Sequence, residues 1–322
     1  MYRIFDILIE SNIPIPELPV VEEGKSSISF ELSSNSFPDE TQLKWYHHWH
    51  LPNGEIATSC ARVGEDYFLR FPELADFLIS KKGHQIKCFS LTGVSDESIR
   101  HLLVDQVIPR VIAHQGWIVL HASAIEMEGG VIAFIGESGR GKSTLATSFH
   151  EQGYSLLTDD CLLLKPKNGQ ITGIPGYAGS RLWPDSLDAI VTDKSNIHPV
   201  AHYSDKKRLI FPEILKNREC QLPLRAIFVL SSPNEAKSLT KATVEQLSGA
   251  MKFMELIKHS FHLDVTDEVK ILLQFETLGQ MTGAHLPIYR LNYRRNHALL
   301  NEVRDIVYQV AVKGPLKETR PS

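Results

Sequence analysis

Cysteine is scarce in this chain, and no two of the four (Cys60, Cys88, Cys161 and Cys220) form a Cys-x-x-Cys pair. That argues against both a zinc knuckle and a disulfide framework, and it suits a reducing, cytoplasmic setting. No apolar run approaches the roughly 18–20 residues that a bilayer-spanning helix requires. The opening Met1-Tyr2-Arg3-Ile4-Phe5-Asp6 lacks the charged-then-apolar layout of a secretion signal. Neither a membrane partner nor export is therefore expected. Positive charge is short as well. The 322 residues carry 34 basic against 38 acidic side chains, a net charge of −4, far from the basic patch of a nucleic-acid binder. The balance is uneven along the chain. Residues 1–105 hold 9 basic and 16 acidic groups (net −7), and residues 106–322 hold 25 and 22 (net +3). The second part is thus mildly basic, which suits a polyanionic nucleotide. Internal repeats and low-complexity tracts are also missing.

What is present is the composition of a globular protein, 43% hydrophobic and 22% charged, long enough for about two domains. The first hundred residues read as short strands and turns. Tyr2–Ile9 reads as a strand. Asn12–Pro19 cannot be helical, since Pro14, Pro16 and Pro19 crowd it. Ser26–Leu32 alternates as a half-buried strand would, Asn53-Gly54 marks a hairpin turn, and Pro72–Ile79 reads as a short helix. The run Trp45-Tyr46-His47-His48-Trp49-His50 invites a metal reading, but no carboxylate or cysteine completes a ligand set nearby. From about Ser95 the pattern turns helical, with apolar residues from Ile99 to Ile112 at helical spacing and a kink expected at Pro109. The domain boundary is placed there: a β-rich domain over 1–105 and a second domain over 106–322. Further strands are expected at Trp117–Glu126, Val131–Ile135, Leu156–Thr158, Cys161–Leu164, Ala226–Leu230 and Pro287–Asn292. Helices are expected at Thr144–Gln152, Val244–Ser260, Asp267–Met281 and Asn296–Val312. The polar tail Lys313–Ser322 should fray.

The most informative stretch is Gly136-Glu137-Ser138-Gly139-Arg140-Gly141-Lys142-Ser143-Thr144, which fits G-x-x-x-x-G-K-[ST]. An apolar strand precedes it and a helical segment follows, the setting that makes the pattern a phosphate site. Glycines let several backbone N–H groups converge on one anion, and the helix N-terminus adds positive potential. Lys142 is expected to reach the β- and γ-phosphates of ATP, and the Ser143 hydroxyl to ligate Mg²⁺. A nucleotide loop alone does not say what is done with the nucleotide. The discriminating feature is Asp159-Asp160, seventeen residues after Lys142 and just past the strand Leu156–Thr158. Strand Ala226–Leu230 runs instead into Ser231-Ser232, without a carboxylate, and no Asn-Lys-x-Asp guanine motif occurs. Two adjacent carboxylates at a strand end can divide the labour, one holding Mg²⁺ and the other accepting a proton from an attacking hydroxyl. Asp also favours ordinary turns, which is the plainer reading. His121 stands beside the small residues Ala122, Ser123 and Ala124, with room for a neighbour; a lone strand histidine is otherwise a core residue. Arg181, in the Gly- and Pro-rich loop Gly173–Pro184, could face a phosphate. The basic cluster Lys206-Lys207-Arg208 could close over phosphates or meet an acidic acceptor; a solvated run is the alternative.

Taken together, His121, the loop Gly136–Ser143 and the Asp159-Asp160 pair resemble the HPr kinase/phosphorylase superfamily, in order and in spacing, over roughly residues 105–300. The resemblance implies an α/β fold: a P-loop kinase domain of the HPr kinase C-terminal type behind a small β-rich N-terminal domain. It implies ATP and Mg²⁺ as cofactors, Asp159 as general base, Asp160 as Mg²⁺ partner, and His121 and Lys142 in the catalytic set. The stretch Pro175–Asp185 departs from the glycine-rich signature of the HPr-modifying enzymes. It looks like that of HPr-kinase-like proteins from ribosomal-peptide biosynthesis, notably lasso-peptide precursor kinases. Their opening is also similar to Tyr2-Arg3-Ile4-Phe5 through Ser11-x-Ile13-Pro14-x-Pro16-Glu17-Leu18. That subgroup implies a precursor peptide with an acceptor serine. A genuine HPr kinase/phosphorylase, a small-molecule kinase of the same fold, and a nucleotide-dependent peptide-binding module remain open at this point, as does a homo-oligomer.

Overall fold

The computed structural model describes every residue except 36–39, 52, 168, 178, 202–203, 212–220, 284–285 and 314–322. Cys220 and most of the polar tail therefore lie outside the described residues. The chain is a mixed α/β protein of several sheets and helices. It divides into two units, one made of Met1–Val119, His198–Lys206 and Phe261–Glu276, the other of Leu120–Ile197, Lys207–Ser260 and Thr277–Ser322.

The first unit is built on eight strands: β1 (Tyr2–Ile4), β2 (Ile7–Ser11), β3 (Ile28–Ser33), β4 (Lys44–His50), β5 (Ile56–Val63), β6 (Asp66–Phe71), β7 (Ala75–Ile79) and β8 (Gln85–Ser90). They form one sheet in the order β1-β2-β3-β8-β7-β6-β5-β4. Two expectations fail here. Tyr2–Ile9 is a hairpin, because Phe5 turns the chain with φ 53° and pairs Ile4 with Ile7. Residues 72–79 are not helical. A turn at Glu73 (φ 60°) leads into β7, whose alternate residues Ala75, Phe77 and Ile79 are buried and which pairs with β6 and β8. Strand β4 carries the aromatic and histidine run. A bulge between Trp45 and His47 breaks its alternation; His48 Nδ1 meets Ser59 Oγ at 2.9 Å and His47 packs edge-on against Trp49. Among the described residues no group of three His, Cys, Asp or Glu is placed to hold a metal.

Helix α1 (Asp96–Leu102) is capped by Ser95, whose Oγ accepts from Ser98 N, and has Asp96 and Glu97 in its first turn. The kink expected at Pro109 takes the form of a π-turn over Leu103–Val107, after which α2 (Ile108–His114) resumes. Proline cannot donate to the carbonyl four residues back, and the widened turn absorbs that loss. From α1, His101 Nδ1 donates at 2.6 Å to Asp105 in the widened stretch.

Of the remaining strands, β9 (Ile118–Leu120) and β10 (Ala122–Met127) replace the single strand expected over 117–126, with the break at His121. Then follow β11 (Gly130–Ile135), β12 (Leu156–Thr158), β13 (Leu162–Lys167), β14 (Gln170–Pro175), β15 (Gly179–Leu182), β16 (Ile197–Ala201), β17 (Ser204–Ile210), β18 (Leu222–Leu230), β19 (Thr243–Gln246) and β20 (Ile288–Asn292). The second unit's sheet runs β12-β10-β11-β18-β14-β13, with β20 beside the other half of β18 and β19 beyond it. Strands β11, β18 and β20 are parallel. Strand β11 and the Ala226–Leu230 part of β18 are buried throughout, which is why they read as unbroken apolar runs, whereas β20 carries Arg290 between its buried Tyr289 and Leu291. On one face lie α3 (Lys142–His150), α4 (Pro184–Ile190) and, near the end of the chain, Leu300–Lys313. Phe134 stacks on Phe149 in that core (centroids 5.8 Å apart) and Phe228 on Tyr289 (5.3 Å). The helix expected over Val244–Ser260 is β19 followed by α5 (Gly249–Lys258), and α6 covers Glu268–Gly283. The final helix, Leu300–Lys313, is α7. No described helix is long and apolar enough to cross a membrane.

Candidate functional site

The glycine loop joins the end of β11 to the start of α3. Gly141 caps the helix in the left-handed region (φ 88°), where a side chain would be strained. At Gly136 (φ 153°) a Cβ would lie 3.3 Å from the Leu230 carbonyl of the neighbouring strand. Lys142 is buried, and its Nζ donates to the carbonyls of Gly136 (2.8 Å) and Glu137 (3.3 Å). Glu137, Ser138 and Gly139 are exposed, and Arg140, Gly141, Ser143 and Thr144 are half-buried. Thr144 Oγ1 donates to Ser186 Oγ at 3.3 Å.

Asp159 and Asp160 lie just beyond β12, in the turn that leads to β13. Asp160 has φ 72°, a region that Asp and Asn enter more readily than other side chains. Asp159 is fully buried. Its Oδ1 accepts from Ser123 Oγ and its Oδ2 from the Arg181 backbone N at 2.9 Å. Burial raises its pKa above the usual carboxylate range, with the charge of Asp160 as the next cause; Arg181 and the two hydrogen bonds oppose the rise. Asp160 receives the Arg181 guanidinium on Oδ2, so a cation stands beside one carboxylate while the other is sealed from water.

His121 occupies the gap between β9 and β10. Its backbone N donates to the His259 carbonyl at 2.7 Å, and its Nδ1 donates to the Asp160 carbonyl at 3.1 Å. The ring is mostly enclosed, and burial, then the Lys142 charge, push its pKa down to about 3. His121 is therefore neutral at ordinary pH and carries its ring proton on Nδ1. His259, at the end of α5, is lowered to about 4 by burial and then by Lys142.

Arg181 is not in a loop. It lies on β15, directly opposite Arg208 on β17. The glycines that suggested a loop serve close packing. A Cβ on Gly173 would meet Val131 at 3.1 Å, and one on Gly179 the Leu209 carbonyl at 3.0 Å. Directly opposed residues share a sheet face, so two buried arginines lie on one face of this pair, Arg181 on Asp160 and Arg208 over the Tyr177 ring at 5.6 Å. The basic cluster splits accordingly. Lys207 is exposed, and Lys206 falls in the first unit.

Several residues at this site carried no motif. Ser123 was noted only for its small size, yet it holds Asp159. Arg295 donates to the carbonyls of Arg140 (2.8 Å), Tyr293 (2.7 Å) and Ser231 (2.6 Å), tying the loop to the end of β18. Lys258 donates to Glu137 at 2.6 Å. Glu137 is pulled down to about 2 by that bond and by Arg140. All three depend on pairings between distant segments, which spacing along the chain does not encode.

No family model matches the chain, and no curated protein does. Among solved structures, the HPr(Ser) kinase/phosphatase from Coxiella burnetii aligns with 60% of this chain and 97% of its own, at 12% identity and a TM-score of 0.31. A likeness that slight does not carry fold or activity across.

Proposed function

We propose that the protein is an ATP-dependent kinase that transfers the γ-phosphoryl group to a serine hydroxyl of a peptide or protein, with a lasso-type precursor peptide as acceptor. The observation that supports it best is the unequal pair at the end of β12. A buried Asp159 of raised pKa lies beside an Asp160 held by Arg181. One carboxylate poised to take a proton and a second one paired with a cation beside it suit hydroxyl-to-phosphoryl transfer.

The residues fit ATP and Mg²⁺. The left-handed Gly141, the inward Lys142 and the Ser143 hydroxyl at the helix start form the phosphate side. Mg²⁺ asks for only one or two protein oxygens beside phosphate, here Ser143 and Asp160. When bound, the ion would supply charge neutralisation on the phosphates. Asp159 takes the proton from the acceptor hydroxyl as its oxygen bonds to phosphorus and the bond to the ADP oxygen breaks. Lys142 balances the charge left on that oxygen. Neutral His121 fixes the Asp160 backbone through Nδ1, and Arg181 and Arg208 place positive charge where the phosphorylated acceptor forms. The β-rich amino-terminal part, net acidic, serves acceptor capture.

The test is mass spectrometry of candidate precursor peptides, and of HPr in parallel, after incubation with enzyme, ATP and Mg²⁺. A phosphoserine on the peptide is expected, lost in Lys142→Ala and in Asp159→Asn. Asp159→Asn should bind ATP within about threefold of wild type while turnover falls by about 10²-fold or more. Full activity in Lys142→Ala would sink the assignment, and phosphorylation of HPr alone would redirect it.

A further inference from the structure

The glycine loop carries charges that the proposed reaction leaves unused. Glu137 follows the first glycine and holds two cations. Its Oε1 accepts from Lys258 Nζ at 2.6 Å, and its Oε2 accepts from the Arg140 guanidinium, with Nε at 3.2 Å. Lys258 is the last residue of α5. The next residue, His259, gives its carbonyl to His121 N at 2.7 Å. The end of α5 is thus pinned on two sides, to the loop and to the strand break at His121. Lys142 Nζ rests on the carbonyls of Gly136 and Glu137. A lysine of this motif serves the β- and γ-phosphates, which makes the Glu137 end of the loop the γ end.

We propose that Lys258 is a ligand of the γ-phosphate, and that the Glu137 carboxylate is that phosphate's internal stand-in, holding Lys258 and Arg140 at the loop until a nucleotide's terminal phosphate displaces it. This rests on the reading of the loop as an ATP site. Carboxylate and phosphate oxygens accept the same charge-assisted hydrogen bonds. Two cations against one carboxylate leave a surplus positive charge, which suits an incoming group of higher charge. The side chains of Lys258 and Glu137 are about half exposed (53% and 49%), so the exchange needs little desolvation. ADP has no group at this position. The pair therefore discriminates ATP from ADP, and Glu137 sets how readily a nucleotide with a terminal phosphate is held.

The experiment is a fluorescence titration of the full-length protein with mant-labelled AMP-PNP and mant-ADP in Mg²⁺. Lys258→Ala should weaken AMP-PNP binding by about tenfold and ADP binding by less than about threefold, in line with one charged hydrogen bond lost. Lys258→Arg should stay near wild type. Glu137→Gln should tighten AMP-PNP by about threefold. Lys258→Ala and Glu137→Gln thus move affinity in opposite directions. If both variants weaken both nucleotides alike, the pair is only a brace and the proposal is overturned. If wild type binds AMP-PNP and Lys258→Ala binds it equally well, the proposal falls while the ATP-site reading stands. If wild type binds neither nucleotide, both fall.

Discussion

At the scale of single residues, the site stores two titrations of opposite sign. Asp159 holds its proton more tightly in the folded chain than in the unfolded one. Its contribution to stability is complete below the ordinary Asp value and is lost as pH rises through the raised folded value. His121 runs the other way, because its pKa in the fold is about 3. Its contribution is intact above the ordinary His value and is lost as pH falls toward 3. Asp159→Asn should therefore stabilise the protein at pH 7.5 by on the order of 1–3 kcal/mol and leave it nearly unchanged at pH 3.5, read from urea denaturation at both. An equal effect at the two pH values would mean that burial does not govern this carboxyl. His121→Gln should flatten the loss of stability between pH 6.5 and 4; a profile parallel to wild type would assign that loss elsewhere. The same raised carboxyl predicts that turnover climbs with pH on the acidic side, since the base must be ionised.

At the scale of elements, the glycine loop was legible because its glycines are demanded by geometry. Gly141→Ala should cost about 1–2 kcal/mol of stability, from its left-handed φ alone, and should weaken nucleotide binding in the titration above. A variant with wild-type stability would show that the loop relaxes. The Asp pair was also legible, since a polar doublet after a short apolar strand belongs at the strand's end. Strands β14 and β15 were not legible. Gly173, Pro175, Gly176 and Gly179 read as turn residues, whereas Gly173 and Gly179 admit Val131 and the Leu209 carbonyl at close range. Arg181, expected in a loop facing a phosphate, thus lies on a strand with its guanidinium on Asp160. The hairpin at Phe5 escaped for a related reason: the turn is made by a bulky residue at positive φ, without glycine or proline to announce it. The split of Val244–Ser260 into β19 and α5 depends on β19 pairing with β20, some forty residues later.

At the scale of the whole molecule, chain order and spatial grouping part company. The first unit recruits Phe261–Glu276 from far along the sequence. Within it, Arg62 pairs with the buried Asp264 at 2.7 Å, the Tyr46 hydroxyl donates to the Leu263 carbonyl at 2.8 Å, and Arg110 lies over Phe261. Composition and charge along the chain could not reveal such an insertion, because it brings no change of pattern at its ends. A fragment ending at residue 119 leaves Arg62 and Tyr46 without these partners. It should unfold at clearly lower urea than the intact chain. Arg62→Ala in the full-length protein should reproduce about 2 kcal/mol of the loss, by leaving Asp264 buried and unpaired. A fragment as stable as the parent would show that the recruited segment is dispensable.

The π-turn at Leu103–Val107 is, in angular terms, one residue too many. Each helical residue advances the chain by about 100°, so the extra one sets the azimuth of α1 relative to α2. Removing a single residue there would close the widened turn to α-helical spacing and rotate everything before it by about that angle. Ile99 and Leu102, now buried, would swing away from the core, and Arg100 would leave Glu17, which it holds at 3.0 Å. A one-residue deletion at this point should therefore be far more damaging than any single substitution within it.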